Sequence, residues 1–228
     1  MLYAVLTALL AIAVYAPQIW VRYTMRKHAA PIEDMPGTGG ELAQHLVERF
    51  ELDGVVVETT DEGRDHFDPS GPAVRLSPSI YEGKSLTAIA VATHEVGHAV
   101  QYHRQEAIFQ LRSRYMPTAL LLRKLGEIAL LCVPVIALLV KTPVIIIPLI
   151  VLSLGLQLLG AGAYLIMLPE EWDASFNKAL PILEQGEYVP TDLLPAIRSV
   201  LKAAALTYFA SALASILNLG RWALLLRR

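Results

Sequence analysis

The chain has few of the residues on which soluble enzymes usually rely. Its 228 residues include one cysteine, Cys132, so an internal disulfide and a cysteine-rich metal cluster are both excluded. Set in an apolar run, Cys132 reads as a small buried hydrophobe. Charged residues make up only 18 % of the chain, and the net charge of −2 provides no broad basic field for nucleic acid. There are no internal repeats or low-complexity tracts, which removes solenoid architectures. Apolar residues are what the chain has in excess. They account for 54 % of it, and the mean hydropathy is +0.46, a balance that points to membrane spans and a lipid bilayer as partner.

Residues 1–21 carry no charge and are long enough to cross a bilayer as a helix. Positive residues follow this stretch (Arg22, Arg26, Lys27) instead of preceding it, the reverse of a cleavable signal, so 1–21 reads as a retained transmembrane anchor. Residues 119–168 read as a transmembrane hairpin and 201–220 as a fourth membrane segment, with 221–228 a basic tail. The regions between, 29–118 and 169–200, read as soluble. Of the 19 Lys and Arg, 12 lie between Arg22 and Lys124, which places these regions in the cytoplasm of a multi-pass protein of the cell (inner or plasma) membrane. A full fourth span would carry Arg221, Arg227 and Arg228 to the opposite side, against the same rule, unless residues 203–220 lie along the membrane or re-enter it.

In the first soluble region, 29–40 is a Pro- and Gly-rich linker and 41–50 has helical spacing. Val55 to Val57 reads as a strand, 61–72 as a loop, and Ala73 to Leu76 as the returning strand, placed at an edge by Pro78. Such an edge could take up an extended peptide or simply pack under the next helix. That helix follows Ser85, a good N-cap, and its spacing carries it on to Tyr115.

On this helix lies His94-Glu95-Val96-Gly97-His98. Residues four apart share a helix face, so two imidazoles can grip one divalent ion, for which zinc is well suited. Glu95, one step round, is placed to serve as general base towards a water at that ion. The plain alternative is a helix with two histidines and a solvated glutamate. The apolar run Leu86 to Thr93 argues against it, because ionisable groups on a buried helix need partners. A catalytic zinc needs a third protein ligand. No third His follows closely, and Leu168-Pro169-Glu170-Glu171-Trp172-Asp173-Ala174-Ser175 offers acids from far along the chain. Pro followed by acids is also ordinary helix-start chemistry, and spacing does not choose among Glu170, Glu171 and Asp173. Two other classes compete with an enzyme: an inactive membrane scaffold, against which Glu95 argues, and a zinc sensor or transporter, whose site would sit among the spans.

Together with Asp65-His66-Phe67-Asp68-Pro69, Arg75-Leu76-Ser77 with Tyr81, and Ala203 to Tyr208, these blocks resemble the membrane-bound neutral zinc metallopeptidases of the YugP type over nearly the whole chain. The resemblance implies a peptidase acting on a peptide or protein substrate, with Glu171 as third ligand in a gluzincin-like site. It also resembles, more distantly, HtpX-type and CAAX-type membrane proteases, which carry an Asp where this chain has Ser175. Asp173 is the candidate substitute for that outer partner, although two residues away lies on a different helix face. Tyr208, His66 and Tyr81 are candidate oxyanion donors, although His66 reads first as a loop histidine bonded to its neighbours. The expected fold is mainly α, a polytopic helical membrane protein with a small cytosolic zincin-like α+β catalytic region. The sequence carries no signal of oligomeric state.

Overall fold

The computed structural model describes residues 2–140 and 143–216, so the basic tail at 221–228 lies outside the described residues. The architecture is mainly helical with one three-stranded sheet. It divides into two units, one from Ile19–Gln110 and Pro169–Thr207, the other from Met1–Gln18, Leu111–Leu168 and Tyr208–Arg228 as far as these are described.

In the first unit, helix α1 (Leu2–Lys27) ends where the linker was expected to begin. Thr87 holds that end, donating its hydroxyl to the Met25 carbonyl (2.8 Å) and its N–H to the His28 carbonyl (3.1 Å). Helix α2 (Gly39–Arg49) starts on a capping box, with Thr38 Oγ1 accepting the Glu41 N–H and Glu41 Oε2 accepting the Thr38 N–H. Gly39 and Gly40 belong to its first turn and not to the linker. A Cβ on Gly39 would lie 2.4 Å from the Ile80 carbonyl oxygen, so only glycine permits the approach. Leu42 and Leu46 then enter one apolar core with Val74, Leu76, Ile89 and Val96.

The sheet corrects the expected hairpin. Strands β1 (Val56–Thr59), β2 (His66–Asp68) and β3 (Ala73–Leu76) lie in the order β1-β3-β2. β1 runs parallel to β3, with Val56 opposite Ala73, and β2 runs antiparallel to it, with Phe67 opposite Val74. The segment expected as a loop supplies a strand because Phe67 is buried and draws it onto the core. β3 is therefore central, with fully buried Val74 and Leu76, and both its sides are taken, so a peptide cannot add to it. Pro78 lies beyond the strand, opening the short helix α3 (Pro78–Tyr81).

Helix α4 (Leu86–His103) starts as expected, Ser85 Oγ accepting the Ala88 N–H at 3.1 Å, and every residue from Leu86 to Gln101 is buried. It stops at His103 and does not continue to Tyr115. Gln105 adopts a left-handed conformation (φ 53°), and the Glu106 N–H returns to the Gln101 carbonyl at 2.9 Å, satisfying a carbonyl at the helix end. Helix α5 (Gln110–Val140) begins afresh. Helix α6 (Pro143–Trp172) runs through Leu168 and Pro169, so no helix starts at Pro169; a π-helical stretch, Asp173–Ala179, continues into α7 (Leu180–Gln185). After a 3₁₀ turn at Thr191–Leu193 comes helix α8 (Leu194–Ile216). Ile197, Val200 and Leu201 of α8 are fully buried in the first unit's core, so the segment expected to enter the membrane at 201 starts inside that core.

In the second unit, α5 and α6 approach at Gly126 and Gly160. A Cβ on Gly126 would lie 2.9 Å from the Ser153 carbonyl, and one on Gly160 would lie 3.0 Å from the Ala119 carbonyl. Gly155 and Gly162 of α6 face open space instead. Large apolar side chains such as Leu131, Val135, Leu139, Val144 and Val151 point outward, while Ser153 and Gln157 are buried. Cys132 is exposed on this outward face and is not a buried hydrophobe. Two stretches among the described residues, Val144–Gln185 and Thr191–Ser211, are helical, long and apolar enough to cross a membrane.

Candidate metal centre

The one-turn spacing on α4 puts the His94 and His98 rings side by side, with centroids 4.7 Å apart. Glu171, in the last turn of α6, faces both. Its Oε2 lies 3.3 Å from His94 Nε2 and 3.3 Å from His98 Nε2. The three ligand atoms fall within 4.8 Å of one another in a buried position. Ligands about 2.0–2.1 Å from a tetrahedral zinc are separated by roughly 3.3–3.4 Å, so the donor set fits that ion. Glu95, the neighbour of His94 on α4, is buried like the other three, with 7 % exposure against 3 %, 2 % and 1 % for His94, His98 and Glu171.

The ring orientations are fixed from behind. Ser175 Oγ donates to the Leu201 carbonyl at 3.0 Å, which leaves its lone pair to accept His94 Nδ1–H at 2.9 Å. Gln101 Nε2 donates to the Glu170 carbonyl (3.1 Å) and to Asp173 Oδ2 (2.9 Å), both acceptors only, so its Oε1 is turned to accept His98 Nδ1–H at 2.9 Å. With both Nδ1 atoms protonated, both Nε2 lone pairs point at the Glu171 carboxylate. Three electron-rich atoms converging in a buried place call for a cation between them.

The outer partner of His94 is thus Ser175 itself, and Asp173 acts on the other histidine through Gln101. All three acids that spacing left open turn towards α4. Glu170 is fully buried with Oε1 3.6 Å from His98 Nδ1, and Asp173 reaches Gln101, in addition to Glu171 at the centre. Glu170 and Asp173 are three residues apart and share a helix face, with Glu171 one step of about 100° round from Glu170; from Asp173 onward the chain forms the wider-turned π-helical stretch. It lies against α4 at Gly97, where a Cβ would meet the Ala174 carbonyl oxygen at 2.7 Å. Neither Gly97 nor Gln101 was singled out by sequence reasoning; the signal for Gln101 was its position three residues after His98 on the same helix face.

The other candidates are held elsewhere. His66 lies in β2 and donates Nδ1–H to the Arg64 carbonyl at 2.7 Å, the local bond of the plainer reading. The Tyr81 hydroxyl accepts from Gln44 Nε2 at 3.0 Å, and its ring covers Gly40. Tyr208 belongs to the other unit, with the Arg112 guanidinium 5.3 Å above its ring.

A family described as "Putative neutral zinc metallopeptidase" matches residues 3–227. A protein of Bacillus subtilis (strain 168) named "Putative membrane protease YugP" is 32 % identical over 223 residues, covering 95 % of this chain and 94 % of the relative's length. No solved structure matches. Both alignments run through the segments that supply His94, His98 and Glu171, and a match over nearly every residue leads to one conclusion: this chain belongs to the family of neutral zinc metallopeptidases.

Proposed function

We propose that the chain is a membrane-embedded zinc peptidase that hydrolyses peptide bonds of membrane-associated or cytosolic proteins. In this reading His94, His98 and Glu171 are the metal ligands and Glu95 is the general base. The observation that carries it is the convergence of two imidazole Nε2 atoms and one carboxylate oxygen, with both Nδ1 atoms occupied from behind. Zinc, when bound there, supplies a Lewis acid that polarises a carbonyl and lowers the pKa of water. Glu95 accepts a proton from the attacking water and returns it to the leaving amine nitrogen. The buried setting strengthens each of these charge interactions relative to water.

The chain's apolar helices support a multi-pass topology: α1, the α5–α6 pair and part of α8 as membrane segments, and the metal centre on the cytoplasmic side, where the positive residues cluster. The metal centre belongs to the unit with the water-type core, which favours hydrolysis over transport. Glu95→Gln tests the reading. It keeps shape but cannot accept a proton at neutral pH, so peptide hydrolysis should fall by roughly 10²–10⁴-fold with bound zinc unchanged. Comparing membrane proteomes with wild-type and Glu95→Gln protein would reveal substrates as intact precursors. Wild-type turnover in the variant would remove Glu95 from the mechanism.

A further inference from the structure

We infer that Lys178 is a positioning residue for the metal centre, acting through Asp173 and Gln101 to hold His98 in its metal-binding tautomer. The inference rests on the zinc-peptidase reading and extends it to a residue outside the motif. Lys178 lies in the π-helical stretch with its side chain 15 % exposed, and its Nζ sits 2.9 Å from Asp173 Oδ2 and 3.1 Å from Glu106 Oε2. The other Asp173 oxygen accepts Asn177 Nδ2 at 2.8 Å. Asp173 is thereby fixed where its Oδ2 accepts Gln101 Nε2.

That bond decides which end of the Gln101 amide meets His98. With Nε2 committed to Asp173 and the Glu170 carbonyl, Oε1 faces His98 Nδ1 and requires a proton there, leaving Nε2 of the ring bare for the metal. If Asp173 swings away, only the longer bond to the Glu170 carbonyl still orients the amide, which can then turn over and present N–H to Nδ1. The ring must then carry its proton on Nε2, facing Glu171, where it blocks coordination. His94 has no such dependence, because Ser175 is tied to the neutral Leu201 carbonyl. Glu106 sits just past the break that ends α4, so Lys178 also pins that break to the π-helical stretch.

The test is chelator competition for zinc on the full-length protein in detergent, together with the visible spectrum of the Co²⁺-loaded form. Lys178→Met should weaken zinc by roughly 10–100-fold, the usual cost of losing an outer partner of a metal ligand. Lys178→Arg, which keeps the charge, should recover most of the affinity. In a Gln101→Met background the link is already cut, so adding Lys178→Met should cost no more than about a further twofold. The Co²⁺ bands should shift in Lys178→Met and not in Lys178→Arg. Where Lys178→Met does not fold, Asp173→Asn carries the same comparison with its shape preserved. Equal losses in both backgrounds, or unchanged affinity and bands in the single variants, would overturn the inference and leave the peptidase reading standing. A wild-type protein that binds no zinc would overturn both.

Discussion

In the unit that carries the metal centre, Leu46, Leu76, Ile197 and Leu201 are sealed inside, and the buried ionisable groups sit among one another in a network of named bonds. Along α5 and α6 the arrangement is reversed. Leu139 and Val144 are each 79 % exposed, while Ser153 and Gln157 are interior. The first pattern is what water imposes, since burial of apolar surface drives the collapse. The second is the pattern that lipid permits, since outward apolar side chains suit an apolar solvent and helices can associate through close backbone approach, such as that at Gly126 and Gly160. Chemistry that depends on fixed dipoles is built in the first kind of interior, where rigidity comes from packing.

The comparison breaks most sharply at the centre. Glu171→Ala removes the proposed third ligand and should leave a protein that loses zinc to a mild chelator, with folding of the outward-apolar helices unchanged by circular dichroism. Retention of zinc by Glu171→Ala would move the third ligand to Glu170 or Asp173.

Next in size is a matched pair of truncations. Leu201→Ala leaves a cavity in the water-type core and should cost about 2–5 kcal/mol. Leu131→Ala, on a face that is 64 % exposed, should cost less than about 1 kcal/mol in detergent or lipid. Denaturant or thermal melts of the two variants read the difference, and equal losses would mean that the face of α5 is packed and not bathed in lipid.

Gly97→Ala probes the contact between α4 and the π-helical stretch. The added Cβ meets backbone, which cannot rotate aside, so a cost of about 1–3 kcal/mol is expected, with weaker zinc as Glu171 and Ser175 are pushed off. Melting with and without zinc separates the two effects. Gly162→Ala, where a Cβ would meet open space, is the matched control in the other unit.

The smallest effect lies on the sheet. Asp68 is held below the usual carboxylate range first by the Ser70 N–H, which outweighs the opposing push from burial, and then by the hydrogen bond and charge of Arg75. A lowered folded value means that its contribution is present above the ordinary value and is lost as pH falls through the folded one. Asp68→Asn should flatten the acid limb of the stability curve below about pH 4 and leave neutral stability little changed. An identical acid limb in the variant would show that the Asp68 carboxylate, with its Ser70 and Arg75 partners, contributes nothing to it.

The helix with the two histidines was legible from local signals, namely the Ser85 cap and an apolar run that could only be buried. Glu171 became legible only through family resemblance, because spacing treats Glu170, Glu171 and Asp173 alike. What was not legible is what depends on long-range packing. A π-helical turn carries no composition of its own, and the turn of Glu170, Glu171 and Asp173 towards α4 rests on contacts with His98 and Gln101, about seventy positions earlier in the chain. Nor could the parallel pairing of β1 with β3, which follows from where Phe67 is buried. The stop at His103 turns on a left-handed Gln105, a conformation for which sequence patterns expect glycine or asparagine.

His98 and Glu171 are 73 positions apart, and α5 and most of α6 lie between them. The ribosome therefore releases the two histidines long before it makes Glu171. In that interval the growing chain holds only two of the three groups that could hold a metal ion. Completion of the centre is thus ordered in time by the order of the residues. Under the proposed function, a chain stalled or truncated before α6 would lack the third ligand and with it the peptidase chemistry.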